Sequence, residues 1–217
     1  MEEIFARGGP VVWVLAGYSL LGLTVVVERV IRFMGAGRLP REMEARLAER
    51  GAPETLRSTL STVRGPEANL LWAVLDAHSQ GAPDLERVAS RVGSTELQRL
   101  QRGFRTLSML GNTAPLLGLF GTILGMIKAF QVIERAGGRV DADALAGGIW
   151  EAMVTTGVGL AVSLVLLLLL HLLEGLAERR ARSMERCGSI LLERLGAPEL
   201  HPRHALGTRR QEAADAA

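Results

Sequence analysis

Three apolar stretches, residues 10–27, 107–127 and 152–173, each run about 18–22 residues with almost no charge inside. That is the length a helix needs to cross roughly 30 Å of hydrocarbon. Buried helices of soluble proteins seldom run so long without an ionisable group, so the pattern predicts three membrane spans. The rest of the chain is polar enough that mean hydropathy over all 217 residues is only +0.21. The first stretch is not read as a signal peptide. Its leader, "MEEIFARGG", is as acidic as it is basic, no small-residue cleavage motif follows, and the segment runs on into "ERVIRF".

The arginines set the expected orientation. Arg32, Arg38, Arg41, Arg46, Arg50, Arg99, Arg102 and Arg105 fall between the first and second spans, and Arg179, Arg180, Arg182 and Arg186 follow the third. The start of the chain offers Arg7, and the short second-to-third connection offers Lys128, Arg135 and Arg139. By the positive-inside rule the N-terminus is outside, and the long loop and C-terminal tail are cytoplasmic. The net charge of +2 is then a topological signal and not a nucleic-acid footprint. The single cysteine, Cys187, excludes an internal disulfide.

The predicted organisation is all-α: an outer N-terminus at 1–9, spans at 10–33, 106–133 and 146–175, and a cytoplasmic helical domain at 34–105. A short outer connection occupies 134–145, a cytoplasmic helix extension 176–196 and a disordered tail 197–217. Within the polar domain, "REMEARLAER" reads as a short amphipathic helix ended by "GAP". Pro66 sits near the start of another, with Leu70, Leu71, Val74 and Leu75 on one stripe. Leu85, Val88, Val92, Leu97 and Leu100 mark a third, expected to continue into the second span. His201 and His204 in the tail lack further ligands nearby, so no metal site is predicted.

The second span, "GNTAPLLGLFGTILGMIKAF", holds many small and hydroxyl-bearing residues. As a helix it places Gly111, Pro115, Gly118, Thr122, Gly125 and Ala129 along one seam, with Ala114, Gly118, Gly121 and Gly125 in a row beside it. Small rows let helices approach closely in lipid, so both read as packing faces. Pro115 frees a backbone carbonyl, tolerable in a membrane only where a neighbour or water satisfies it. In the third span Gly148, Glu151, Thr155, Thr156, Gly159 and Ser163 fall within an arc of about 140°. A charged carboxylate facing lipid at mid-bilayer costs about 2.5–3.5 kcal/mol. Glu151 therefore either faces protein and water or sits solvated near the outer interface.

The middle of all three spans holds no Asp, Lys or His. Hydroxyls relay protons through water but do not store them, so a proton-conducting chain of this kind needs a carboxylate from another chain. No HExxH, GxSxG, P-loop or CxxC pattern is present, and no enzyme activity or cofactor is predicted.

"APLLGLFGTILGMIKAF" followed by "LAGGIWEAMVTTGVGLAV" resembles the paired signatures of the MotA/TolQ/ExbB proton-channel family, and "ERVIRF" is similar too. Three spans and an outside N-terminus point to the ExbB/TolQ branch. The resemblance implies a ring of five subunits around an ExbD/TolR-like single-span partner, whose aspartate carries the proton. It also implies a TonB- or TolA-like effector, a bacterial inner membrane, and a pore lined by the second and third spans. The family's pore threonines fall on Thr122 and Thr156, and its glutamate on Glu151; Thr155 and Ser163 lie on the same face of the third span. Gly111, Pro115, Gly118, Gly121, Gly125 and Gly159 are assigned to helix packing. This chain departs from the family pattern in "AVSLVLLLLL" and in Lys128, a position usually neutral. A non-conducting membrane scaffold and a sodium-driven motor of the same architecture are the alternatives.

Overall fold

The computed structural model describes residues 9–35, 37, 56, 60, 63–135 and 142–196. Five helices are assigned among them: α1 (Gly9–Gly35), α2 (Pro66–Ser79), α3 (Leu85–Gln101), α4 (Phe104–Arg135) and α5 (Ala142–Arg194). No strand occurs among the described residues. Residues 1–8 of the expected outer N-terminus, residues 136–141 of the outer connection, the "REMEARLAER" helix and the tail with His201 and His204 lie outside the described residues. Three helical stretches are long and apolar enough to cross a membrane, and they carry the three apolar blocks. The chain divides into two compact units. One comprises residues 1–30 and 103–173, the other 31–102 and 174–217.

In the first unit α1, α4 and α5 pack side by side. Val11, Val12, Leu15, Gly22 and Val26 form the buried stripe of α1, spaced so that they recur on one face. Val11 and Leu15 share a core with Ala114 of α4, flanked by Leu117, Leu124, Val158 and Val162. Trp13, Leu20, Leu21 and Leu23 of α1 point outward, as do Leu116, Phe120 and Ile123 of α4 and Met153, Leu160 and Leu164 of α5. An apolar exterior over an apolar interior is what lipid or further protein copies, and not water, can cover.

The third apolar block belongs to a helix of 53 residues that continues unbroken well past it. The second does not begin as expected. The helix from Leu85 stops at Gln101 and a new one begins at Phe104, because Gly103 takes a φ of +89°, a left-handed value that a helix cannot contain. Val25 Cγ1 lies only 3.0 Å from where a side chain at Gly103 would begin. Conformation and close approach both demand glycine here.

The second unit is a helical domain built on α2, α3 and the last turns of α5. Pro66 opens α2 at the position where its missing N–H costs nothing. The stripe Leu70, Leu71, Val74 and Leu75 is buried against Leu85 and Ala89 of α3 and Met184, Cys187, Leu191 and Leu192 of α5. Asp84 caps α3 by accepting a hydrogen bond from the Arg87 N–H at 2.8 Å. A buried ion pair crosses this core: Arg180 Nη1 donates to Glu67 Oε1 at 3.1 Å and to the Gly37 carbonyl at 3.0 Å. Glu67 is almost fully enclosed, in the first turn of α2 where the helix dipole favours an anion.

Candidate functional site

α4 and α5 run antiparallel with their backbones nearly touching, and the glycines of α4 make this possible. A β-carbon at Gly118 would stand 3.1 Å from the Thr155 carbonyl oxygen and from Thr156 Cα, and one at Gly125 would stand 3.0 Å from the Gly148 carbonyl oxygen. At Gly121 it would meet Thr155 Oγ1 at 2.6 Å, and at Gly111 it would meet Leu167 Cδ2 at 2.7 Å. Across the seam, a β-carbon at Gly159 would stand 2.8 Å from the Ala114 carbonyl oxygen and 3.0 Å from Gly118 Cα. The buried line on α4 is Leu107, Leu110, Gly111, Ala114, Gly118, Gly121, Gly125 and Ala129. The row through Ala114 and Gly121 faces α5 throughout, and Gly111, Gly118, Gly125 and Ala129 of the other row join it. Pro115 and Thr122 stand half-buried at its edge.

Pro115 has no N–H, so the Gly111 carbonyl four residues earlier loses its helical partner. Ser163 supplies one: its Oγ donates to Gly111 O at 2.7 Å, across the interface and away from solvent. This answers the requirement that a freed carbonyl inside a membrane be satisfied by a neighbour. Ser163 is only 7% exposed and Thr155 only 1%. The Thr155 hydroxyl donates within α5 to the Ala152 carbonyl at 2.8 Å, its methyl and Cβ filling the notch over Gly121. Two of the five polar residues predicted to line a path therefore have their hydroxyls engaged inside the α4–α5 pair of one chain.

Thr122 and Thr156 are placed differently. Both are half-exposed. Thr156 Oγ1 donates across to the Gly118 carbonyl at 3.2 Å, and Thr122, one turn further along α4, donates to its own helix at Leu119 O, 2.6 Å away. Each hydroxyl retains acceptor capacity after donating its proton, so both can take a hydrogen bond from water or from another chain.

Glu151 is partly buried and paired. Lys128 Nζ lies 2.6 Å from its Oε1, with the carboxylate side chain 18% and the lysine 52% exposed. The head of α1 closes on the same carboxylate. Gly9, at φ +64°, leaves room for Glu151 Oε1, which any side chain at that position would displace. Three helices thus converge on one carboxylate. Lys128 was the residue whose part the sequence left open. Its signal was present, since it is the sole lysine of the chain and Glu151 the sole carboxylate within the third apolar block's approach. Their pairing depends on the register between two helices, which no local pattern encodes.

The chain is thus an all-helical, three-span protein with a glycine-packed helix pair that carries hydroxyls along its edge. Residues 45–186 match the MotA/TolQ/ExbB proton channel family, and the chain belongs to that family, in its ExbB branch. It is 28% identical over 178 residues to an ExbB homologue of Methanothermobacter thermautotrophicus named for biopolymer transport, a match covering 80% of this chain and 62% of that protein. This chain therefore spans just under two thirds of that relative's length. It is 27% identical over 194 residues to the biopolymer transport protein exbB1 of Vibrio cholerae, covering 85% of this chain and 84% of the relative. With ExbB of Neisseria gonorrhoeae it shares 29% identity over 186 residues, 76% and 82% of the two chains. The three spans and the family together define a multi-pass membrane protein of a transport family.

Proposed function

We propose that this chain is the ring-forming subunit of a proton-driven motor that powers biopolymer transport or a related task in the cell envelope. Copies of the chain, five in the ring, enclose an ExbD/TolR-like single-span partner. A TonB- or TolA-like effector receives the work. The assembly sits in a bacterial inner membrane with the N-terminus outside and the C-terminus in the cytoplasm, the orientation that the arginine distribution favours.

The observation that carries this reading is the edge of the α4–α5 pair. Thr122 and Thr156 keep acceptor capacity there, while no Asp, Glu, Lys, Arg or His occurs from residue 106 to 127 or from 152 to 170. Such a wall can pass a proton through water and hydroxyls but holds no group to store it, so the storing carboxylate belongs to the partner. Thr155 and Ser163 serve by fixing the wall: one fills the notch over Gly121 and the other satisfies the carbonyl freed by Pro115. A potential of 100 mV supplies about 2.3 kcal/mol per proton, so useful output draws on several protons.

Thr122→Val and Thr156→Val test the proposal, because valine keeps the shape and removes the hydroxyl. Each is expected to lower proton flux through the purified complex by about tenfold or more, the scale of one lost relay group, with native mass unchanged. Flux and envelope function unaffected in both variants would favour a scaffold that uses the seam for assembly alone.

A further inference from the structure

Lys128 and Glu151 form an ion pair between α4 and α5 at the end of the helix pair where Gly9 of α1 also lies. They are 2.6 Å apart, and the carboxylate is enclosed while the ammonium is half-exposed. An enclosed, uncompensated carboxylate at this end of a membrane bundle would be a cation attractor, since rings of Asp or Glu are how cation-selective pores draw metal ions. Here Oε1 of that carboxylate is already committed. The ammonium lies on Oε1 and the head of α1 closes over it at Gly9.

We infer that Lys128 is a specificity-determining residue: by neutralising Glu151 within the same chain, it denies the path a metal-cation site and leaves it to protons. The inference rests on the proposed function and deepens it. A proton crosses by exchanging hydrogen bonds with hydroxyls and water and needs no fixed negative charge along the wall. Sodium must replace its water ligands with oxygens of the protein, and the Glu151 carboxylate is already paired with an ammonium. In a ring the effect repeats in every subunit, so removing the lysine adds one negative charge per copy. Glu151 on this account balances charge and ties α1 to α4 and α5, and does not carry the proton.

The two single variants then act in opposite directions, which a merely structural clasp would not produce. The test compares radioactive sodium uptake with proton uptake in liposomes holding the purified complex, for the wild type and for K128M, E151Q and the double variant, with native mass checked for each. The wild type is expected to pass protons, with sodium at the level of empty liposomes. K128M is expected to raise the sodium-to-proton ratio about tenfold or more, and E151Q, which leaves the ammonium uncompensated, to lower cation flux several-fold. The double variant is expected to return the ratio to that of the wild type. Sodium passing the wild type as readily as protons would overturn the inference. So would an unchanged ratio in an intact K128M ring, or single variants that shift flux in the same direction. Should K128M fail to assemble, E151Q decides alone, and unchanged flux there overturns the inference. A wild-type complex that passes no ion defeats the proposed function itself, whereas proton conduction with an indifferent Lys128 defeats only the assignment made here.

Discussion

Pro115 and Ser163 show how one residue's defect becomes another's function. Proline in mid-span strips the Gly111 carbonyl of its helical donor, and the Ser163 hydroxyl replaces it at 2.7 Å. Ser163→Ala is therefore expected to destabilise the helix pair by about 1–2 kcal/mol, the range for interhelical hydrogen bonds in membranes. Thermal unfolding of the detergent-solubilised protein measures it. In a Pro115→Ala background the restored N–H bonds Gly111 O itself, and the same serine deletion should cost much less. Equal costs in both backgrounds would mean that the serine does not answer the proline. The freed carbonyl was legible from Pro115 alone. Its donor was not, because Ser163 lies 52 residues away and meets it only through the α4–α5 register. The same limit hid the Lys128–Glu151 pair, 23 residues apart.

At the scale of the element, α4 and α5 illustrate what periodicity reveals and where it stops. Two small rows were readable on α4, sharing Gly118 and Gly125, but which of them faces a partner depends on where α5 places its own small residues. Gly148, Ala152, Thr155 and Gly159 meet the row through Gly121 together with Ala129 of the other, leaving Pro115 and Thr122 at the edge. Gly159→Ala would set a methyl group 2.8 Å from the Ala114 carbonyl oxygen and 3.0 Å from Gly118 Cα, both backbone, so the helices must separate. A loss of about 1–3 kcal/mol is expected, the usual cost of overpacking, read from the same thermal unfolding. Gly157, two residues earlier, has nothing within 4 Å of a β-carbon, and Gly157→Ala should leave the fold of the single chain as stable or slightly more so. The junction of α3 and α4 went the other way. Leu97, Leu100 and the following apolar run kept helical spacing, and a glycine inside such a run is compatible with continuation. Only the φ of +89° at Gly103 shows that the helix restarts there.

For the whole molecule, what could be read in advance were the spans, because hydrophobic length is a property of single segments. Contacts within the polar unit could not be read that way: Arg180 and Glu67 are 113 residues apart, and their pairing required α5 to reach α2. The apolar exteriors of α1, α4 and α5 in the first unit fit a protein that meets both lipid and further copies of itself. Extraction with this chain as bait is therefore expected to give a native mass of five copies plus a small single-span partner; a monomer or dimer under gentle extraction would leave the proposed path without walls. The central claim is that this assembly conducts protons along a wall that holds no storing group of its own. Proton uptake into liposomes carrying the purified complex, driven by an imposed membrane potential, tests it most directly. The account predicts uptake well above that of empty liposomes when the partner is present and its loss when the partner's membrane carboxylate is neutralised. An intact ring with its partner that passes no more protons than bare lipid would contradict it.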